Sequence, residues 1–113
     1  MLTIAALNEL GADTQSGLSR CLNNEAFYLR MVNLAVQDDG FERLRAALER
    51  GDLDEGFERA YALKGVLGNV SLTNLFTPVS EITEALRART QMDYAPLLEQ
   101  IFSELEKLRA LVD

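Results

Sequence analysis

The sequence predicts an all-α fold, an antiparallel up-down-up-down four-helix bundle with a short N-terminal helix covering one end. Three observations predict it. Apolar residues recur at intervals of three and four along most of the chain. No run alternates with a period of two, and Val, Ile and Thr are scattered, so no sheet competes. The breaks between periodic stretches are a few residues long and carry Asn, Asp or Gly, which suits helices joined by short connections. At 113 residues the chain forms one domain, 1–113, with no internal repeat and no linker.

The first helix is short, about Thr3 to Leu10, and closes at Gly11; a further turn follows around Gly17 to Leu22. One long helix then spans Asn24 to Arg50. Phe27, Met31, Leu34, Phe41, Leu44 and Leu48 recur in it at helical spacing, Asn23 or Asn24 caps its start, and Gly51 ends it. A break at Asp38 to Gly40 is the alternative, because a glycine inside a helix costs about 1 kcal/mol relative to alanine. Asp52 caps the next helix, with Asp54 and Glu55 in its first turn. Leu53, Gly56, Ala60, Leu63, Leu67 and Val70 form its inner stripe, and a turn follows near Asn69 to Ser71.

The third bundle helix carries Leu72, Leu75, Phe76, Val79, Ile82 and Leu86 and ends near Arg89 or Thr90. Pro78 lies inside it, so either the helix kinks there or Thr77 caps a new start. The last helix has Asp93 as its N-cap and Pro96 in its first turn. Its wide apolar face runs through Leu97, Leu98, Ile101, Phe102, Leu105, Leu108 and Val112.

Composition removes several classes of function. With 48% hydrophobic residues, 26% charged and 2 Pro, the chain is not disordered or low in complexity. No apolar run approaches the roughly 20 residues that span a bilayer, and the N-terminus lacks the basic region of a signal peptide, so the cytoplasm is the expected location. A net charge of −7 repels phosphate backbones and anionic lipid alike. Neither nucleic acid nor membrane is therefore an expected partner. The lone Cys21 allows no internal disulfide and reads as a partly buried small hydrophobe. There is no histidine, which removes histidine–metal sites, Ser-His-Asp and Cys-His arrangements, and histidine as a base or phosphate carrier. No metal and no cofactor are expected.

The informative segment is FERAYALKGVLGNVSLTNL. On a helical wheel of 100° per residue, Leu63, Leu67 and Val70 point away from Tyr61 into the core. Phe57, Tyr61, Lys64, Gly65 and Gly68 share the outward side. Two glycines inside a helix cost about 2 kcal/mol relative to alanines, and the usual reason to keep them is close approach to the backbone. Two plainer readings stand beside this one. Gly68 before Asn69 suits a helix end, and Gly65 suits packing against a neighbouring helix.

This segment resembles the signature of the histidine-containing phosphotransfer (HPt) domain of two-component phosphorelays. That signature runs Ala-His-x-Leu-Lys-Gly, then a few residues, then Gly-Asn and a small residue before Leu. Ala60, Leu63, Lys64, Gly65, Gly68, Asn69 and Leu72 match it in register, and Phe57 matches a common aromatic or aliphatic position one turn earlier. AALERGDLDEGFERA resembles the approach to the motif, and GLSRCLNNEAFYLRMV the first bundle helix. Three positions depart from the pattern. Tyr61 stands at the phosphoacceptor histidine position, Ser71 replaces a frequent glycine, and Pro78 is unusual in the third helix.

The resemblance implies an HPt-like bundle whose partner is a response-regulator receiver domain or a histidine kinase. It implies that Lys64 steadies phosphoryl charge and that Gly65 leaves room for the partner. Tyr61 does not inherit the histidine's role. A phenol ionises only near pH 10, and no residue close in sequence is an obvious base; Glu58, one turn away, is a weak one. A phosphotyrosine ester is also a poor donor back to aspartate. The expectation is a histidine-less module with no catalytic residue, not an enzyme, that binds through Phe57, Tyr61, Lys64, Gly65 and Gly68 without carrying phosphate. The alternatives are a helical interaction or dimerisation module with no phosphorelay role, a phosphate-accepting Tyr61, and a His-to-Tyr variant engineered from an active phosphotransfer domain.

Overall fold

The computed structural model describes residues 1–112, and these form seven helices with no strand among them. The first two are short. Helix α1 (Ile4–Glu9) starts where Thr3 Oγ1 accepts the Ala6 N–H and stops at Gly11, whose φ of 97° lets Ala12 N–H turn back to Leu7 O at 3.0 Å. The segment expected to be a mere turn around Gly17 to Leu22 is instead a helix, α2 (Thr14–Arg20), capped by Asp13. Its glycine is forced by packing: a Cβ on Gly17 would lie 2.3 Å from Cε1 of the buried Tyr28 ring.

The long helix expected from Asn24 to Arg50 is two helices, α3 (Glu25–Val36) and α4 (Gly40–Glu49). Asn24 caps the first through the Phe27 N–H. At the break, Asp38 Oδ1 accepts the Gly40 N–H at 2.7 Å, a local bond that competes with the helical one. A Cβ on Gly40 would meet Leu63 at 3.1 Å, so the start of α4 seats directly on the next helix.

The inner face of α3 also differs from expectation. Tyr28, Val32, Ala35 and Val36 are buried, whereas Phe27 and Leu34 are exposed and Met31 is half-buried. The register is displaced by about one residue, because α3 is apolar on most of its circumference and periodicity alone does not fix its phase. Tyr28 settles the matter: its hydroxyl donates to Val70 O at 2.8 Å across the core.

Helix α5 (Leu53–Asn69) begins at Asp52, whose carboxylate accepts the Glu55 N–H at 3.0 Å. It ends in a Schellman turn, with Ser71 N–H to Gly68 O at 3.2 Å and Leu72 N–H to Leu67 O at 3.1 Å. Ser71 occupies the left-handed position of that turn (φ 54°), where glycine is the unstrained choice. Helix α6 (Thr73–Arg87) runs through Pro78 without a break, so Thr77 caps no new start. Pro78 is buried on its inner face. Helix α7 (Ala95–Arg109) has Tyr94 rather than Asp93 as its N-cap, although Asp93 Oδ1 still accepts the Ala95 N–H at 3.0 Å.

Helix α5 is the centre of the arrangement, packed closely against α4 on one side and α6 on the other; α6 packs in turn on α7, and α7 reaches α3. The core between them holds Phe41, Leu44, Leu63, Leu67, Ile82 and Ile101, all at most 1% exposed. Three donors from the N-terminal third converge on the carbonyl end of α5. They are Arg20 Nη1 to Gly68 O, Tyr28 Oη to Val70 O, and Asp13 N–H to Ser71 O at 2.9 Å.

Candidate functional site on the outer face of α5

The inner stripe of α5 is as the spacing predicts: Gly56, Ala60, Leu63 and Leu67 are buried, with Leu53 half-buried at its start. The opposite face turns to solvent. Tyr61 is 57% exposed, Phe57 is half-buried at the edge of the core, and Lys64 and Gly68 are partly covered.

The two glycines of this face serve different purposes. A Cβ added at Gly68 would lie 3.4 Å from the Phe76 ring, and the Gly68 carbonyl receives the Arg20 guanidinium. The helix continues past it to Asn69, so Gly68 does not end the helix. A Cβ added at Gly65 would meet nothing within 4 Å. Gly65 is therefore no packing contact to a neighbouring helix, and within the fold nothing offsets the roughly 1 kcal/mol that glycine costs there.

Around these glycines lies an open depression of about 380 Å³, lined by Arg20, Tyr61, Lys64, Gly65, Asn69 and Phe76 among others. Its lining carries two cations and no carboxylate, on a protein of net charge −7. Helix α6 supplies the flank. The Tyr61 and Phe57 ring centroids are 5.8 Å apart, and the Arg87 guanidinium lies 5.1 Å from the Phe57 centroid and 5.8 Å from that of Tyr61. Glu84 holds both neighbouring cations, with Lys64 Nζ at 3.6 Å and Arg87 Nε at 3.2 Å. The Arg87 hydrogen bond, with the Lys64 charge, draws the Glu84 carboxyl below its usual range. Lys64 is thus a tethered cation at the rim rather than a freely solvated one.

Arg20, Phe76, Glu84 and Arg87 were not legible as site residues. Arg20 is 48 residues from Gly68 in sequence, and no periodic signal links them. Glu84 and Arg87 form an ordinary i, i+3 pair on α6, and only the packing of α6 on α5 places them beside Lys64 and Tyr61.

Residues 34–111 match the family model described as Hpt domain. The chain belongs to the Hpt domain family. The match covers α4, α5, α6 and α7, and so includes the whole outer face of α5. It begins near the end of α3, so the likeness of residues 17–32 to the family's first helix has no counterpart in it. Hpt domains act in two-component phosphorelays, as phosphotransfer carriers rather than catalysts, and interact with receiver domains and histidine kinases. No curated protein and no solved structure matches the chain. Among the described residues of this Hpt domain, no His, Cys, Asp or Glu cluster is arranged to hold a metal ion, and no helix is long and apolar enough to cross a membrane.

Proposed function

We propose that this Hpt-family chain is a histidine-less phosphorelay module. It binds a response-regulator receiver domain, or a histidine kinase, through Phe57, Tyr61, Lys64, Gly65 and Gly68, and it does so in the cytoplasm without carrying phosphate. Its helices α3 and α4, α5, α6 and α7 correspond in this reading to the up-down-up-down bundle of the family. The observation that carries the reading is the open space over Gly65. It lies beside an exposed tyrosine and a partly buried aromatic ring, the residue types that dominate protein interfaces. A partner helix that fills this space gains contact with Tyr61 and brings any acidic group it carries next to Arg20 and Lys64.

Tyr61 occupies the family's phosphoacceptor position in this reading, and its phenol replaces a good nucleophile with a poor one. The relay step is lost and the docking step remains, which makes the module an adaptor or a competitor for its receiver.

The test is isothermal titration of the unmodified protein against the receiver domains and histidine kinases encoded in its own genome. Micromolar binding to one of them, lost in both Gly65→Arg and Lys64→Glu, supports the proposal. Binding to none, or binding that survives both substitutions, overturns it. Phosphorylation of the unaltered protein by an active relay partner overturns the phosphate-free part. Tyr61→His keeps the fold, because the side chain faces outward, and labelling of that variant by a phosphorylated receiver shows that only the acceptor atom was missing.

A further inference from the structure

The helices of this protein close on one another at every consecutive seam from α4 to α7, but α4 and α7 do not close on each other in the same way. Their seam is crossed by long side chains instead. The Arg45 guanidinium of α4 lies 3.7 Å from the Phe102 ring centroid of α7, and at the far end Arg109 pairs with Glu42 at 2.7 Å. Between and beside these bridges run two shallow depressions of about 390 Å³ and about 290 Å³. Both are lined by Glu49, Ala95 and Leu98, so they are one continuous trough.

The trough has an apolar floor and an acidic rim. Leu98 and the half-buried Phe102 form the floor, and Met92, 45% exposed, extends it at one end. Glu49 stands on the α4 side and Asp93, Glu99 and Glu106 on the α7 side. None of these four carboxylates is in an ion pair among the described residues, and Arg45 is the single cation lining the trough. Elsewhere among the described residues Asp39, Glu42, Asp52, Asp54, Glu55, Glu84 and Glu104 are paired with cations, and the unpaired carboxylates are dispersed along the sequence from Glu9 to Glu81 rather than gathered along an apolar floor. Along α7 the trough runs from Ala95 to Glu106, about 17 Å or three helical turns.

We propose that this trough is a second docking surface, for a basic amphipathic helix of another protein. Charge complementarity selects the occupant. An apolar floor between unpaired carboxylates favours a segment with one apolar stripe flanked by Lys or Arg. The length fits three to four turns of helix, and the open seam offers a groove between two helices for a third to enter. The same carboxylates repel nucleic acid and a second copy of this chain, whose net charge is −7. The surface is formed by α4 and α7, whereas the outer face of α5 is bounded by α2 and α6, so both are open to occupation at once.

The experiment is a titration of the isotope-labelled full chain with a Leu/Lys amphipathic helical peptide of about four turns, followed by amide chemical shifts. The expected result is perturbation confined to α4, residues 92–106 and their immediate neighbours. Glu99→Lys combined with Glu106→Lys weakens binding about tenfold or more, while the equally charged pair Glu58→Lys with Glu81→Lys, exposed on α5 and α6, leaves it within about twofold. A Leu/Gln peptide with the same apolar stripe binds the same residues more weakly. Perturbations scattered over the acidic surface, equal loss in both variant pairs, or no binding of the Leu/Lys peptide overturns the proposal. A trough already covered by a second copy in the free protein, seen as a dimer by sedimentation, overturns it as well.

Discussion

Gly17 and Gly65 sit in two regions of the molecule that use glycine for opposite reasons. At Gly17 the reason lies inside the fold: the Tyr28 ring fills the place where a side chain would go, and α2 lies on α3 at a distance only glycine permits. At Gly65 the place is empty. Both positions carry the same intrinsic penalty, roughly 1 kcal/mol relative to alanine. In the first region intramolecular packing compensates it. In the second nothing among the described residues does, and in the proposed reading a docked partner supplies the compensation. The pair thus contrasts a glycine that folding requires with one that the fold leaves free for the proposed docking.

Three measurements break or sharpen this contrast. The largest effect is expected at Gly17. Gly17→Ala drives a methyl into a rigid, fully buried ring and destabilises the protein by about 3 kcal/mol, through overpacking. A denaturant midpoint equal to that of the unaltered protein would show that the α2–α3 contact is loose and would remove one half of the contrast.

The next effect concerns the ring itself. Burial, with Cys21 and Asp13 adding to it, pushes the Tyr28 phenol up from 10.0 to about 12. The unfolded chain therefore loses this proton first. The contribution of the neutral phenol is fully present below about pH 10 and is lost as pH rises through about 12, by about 2 to 3 kcal/mol. Tyr28→Phe removes that titration, so its stability declines less between pH 9 and pH 12 than that of the unaltered protein. Parallel declines in the two proteins would show that Tyr28 ionises as easily folded as unfolded.

The smallest effect has the opposite sign. Gly65→Ala stabilises the free protein by about 0.5 to 1 kcal/mol, because the methyl meets only solvent and alanine is the better helix former. Thermal unfolding checks this, and destabilisation would mean that the helix at Gly65 is not regular in solution.

The sequence made α5, α6 and α7 legible because each has a single apolar stripe. Ala60, Leu63 and Leu67, or Leu98, Ile101, Leu105 and Leu108, leave one choice of inner face, and Asp52 marks where α5 starts. Helix α3 is ambiguous in sequence because Phe27, Met31 and Leu34 make as good a stripe as Tyr28, Val32 and Ala35. A hydroxyl bond to Val70, 42 residues away, decides between them, and no local pattern contains it. Helix α2 resembles a turn in sequence because seven residues including Gly17 and two serines give little helical signal. The candidate site divides the same way. Tyr61, Lys64, Gly65 and Gly68 lie on one helix and follow from its period, whereas Arg20 and Arg87 arrive from helices whose placement depends on tertiary packing.

The convergence of Asp13, Arg20 and Tyr28 on the carbonyl end of α5 gives the molecule an internal clock hand. Asp13 lies between helices, where an amide would ordinarily exchange its hydrogen with solvent at once, yet its N–H is held by Ser71 O. That amide exchanges only when the first twenty or so residues lift away, whereas amides in the middle of α5 exchange only when the core opens. The ratio of the two rates measures how often the N-terminal segment detaches from an otherwise intact domain, and with it how often Arg20 leaves the Gly68 carbonyl.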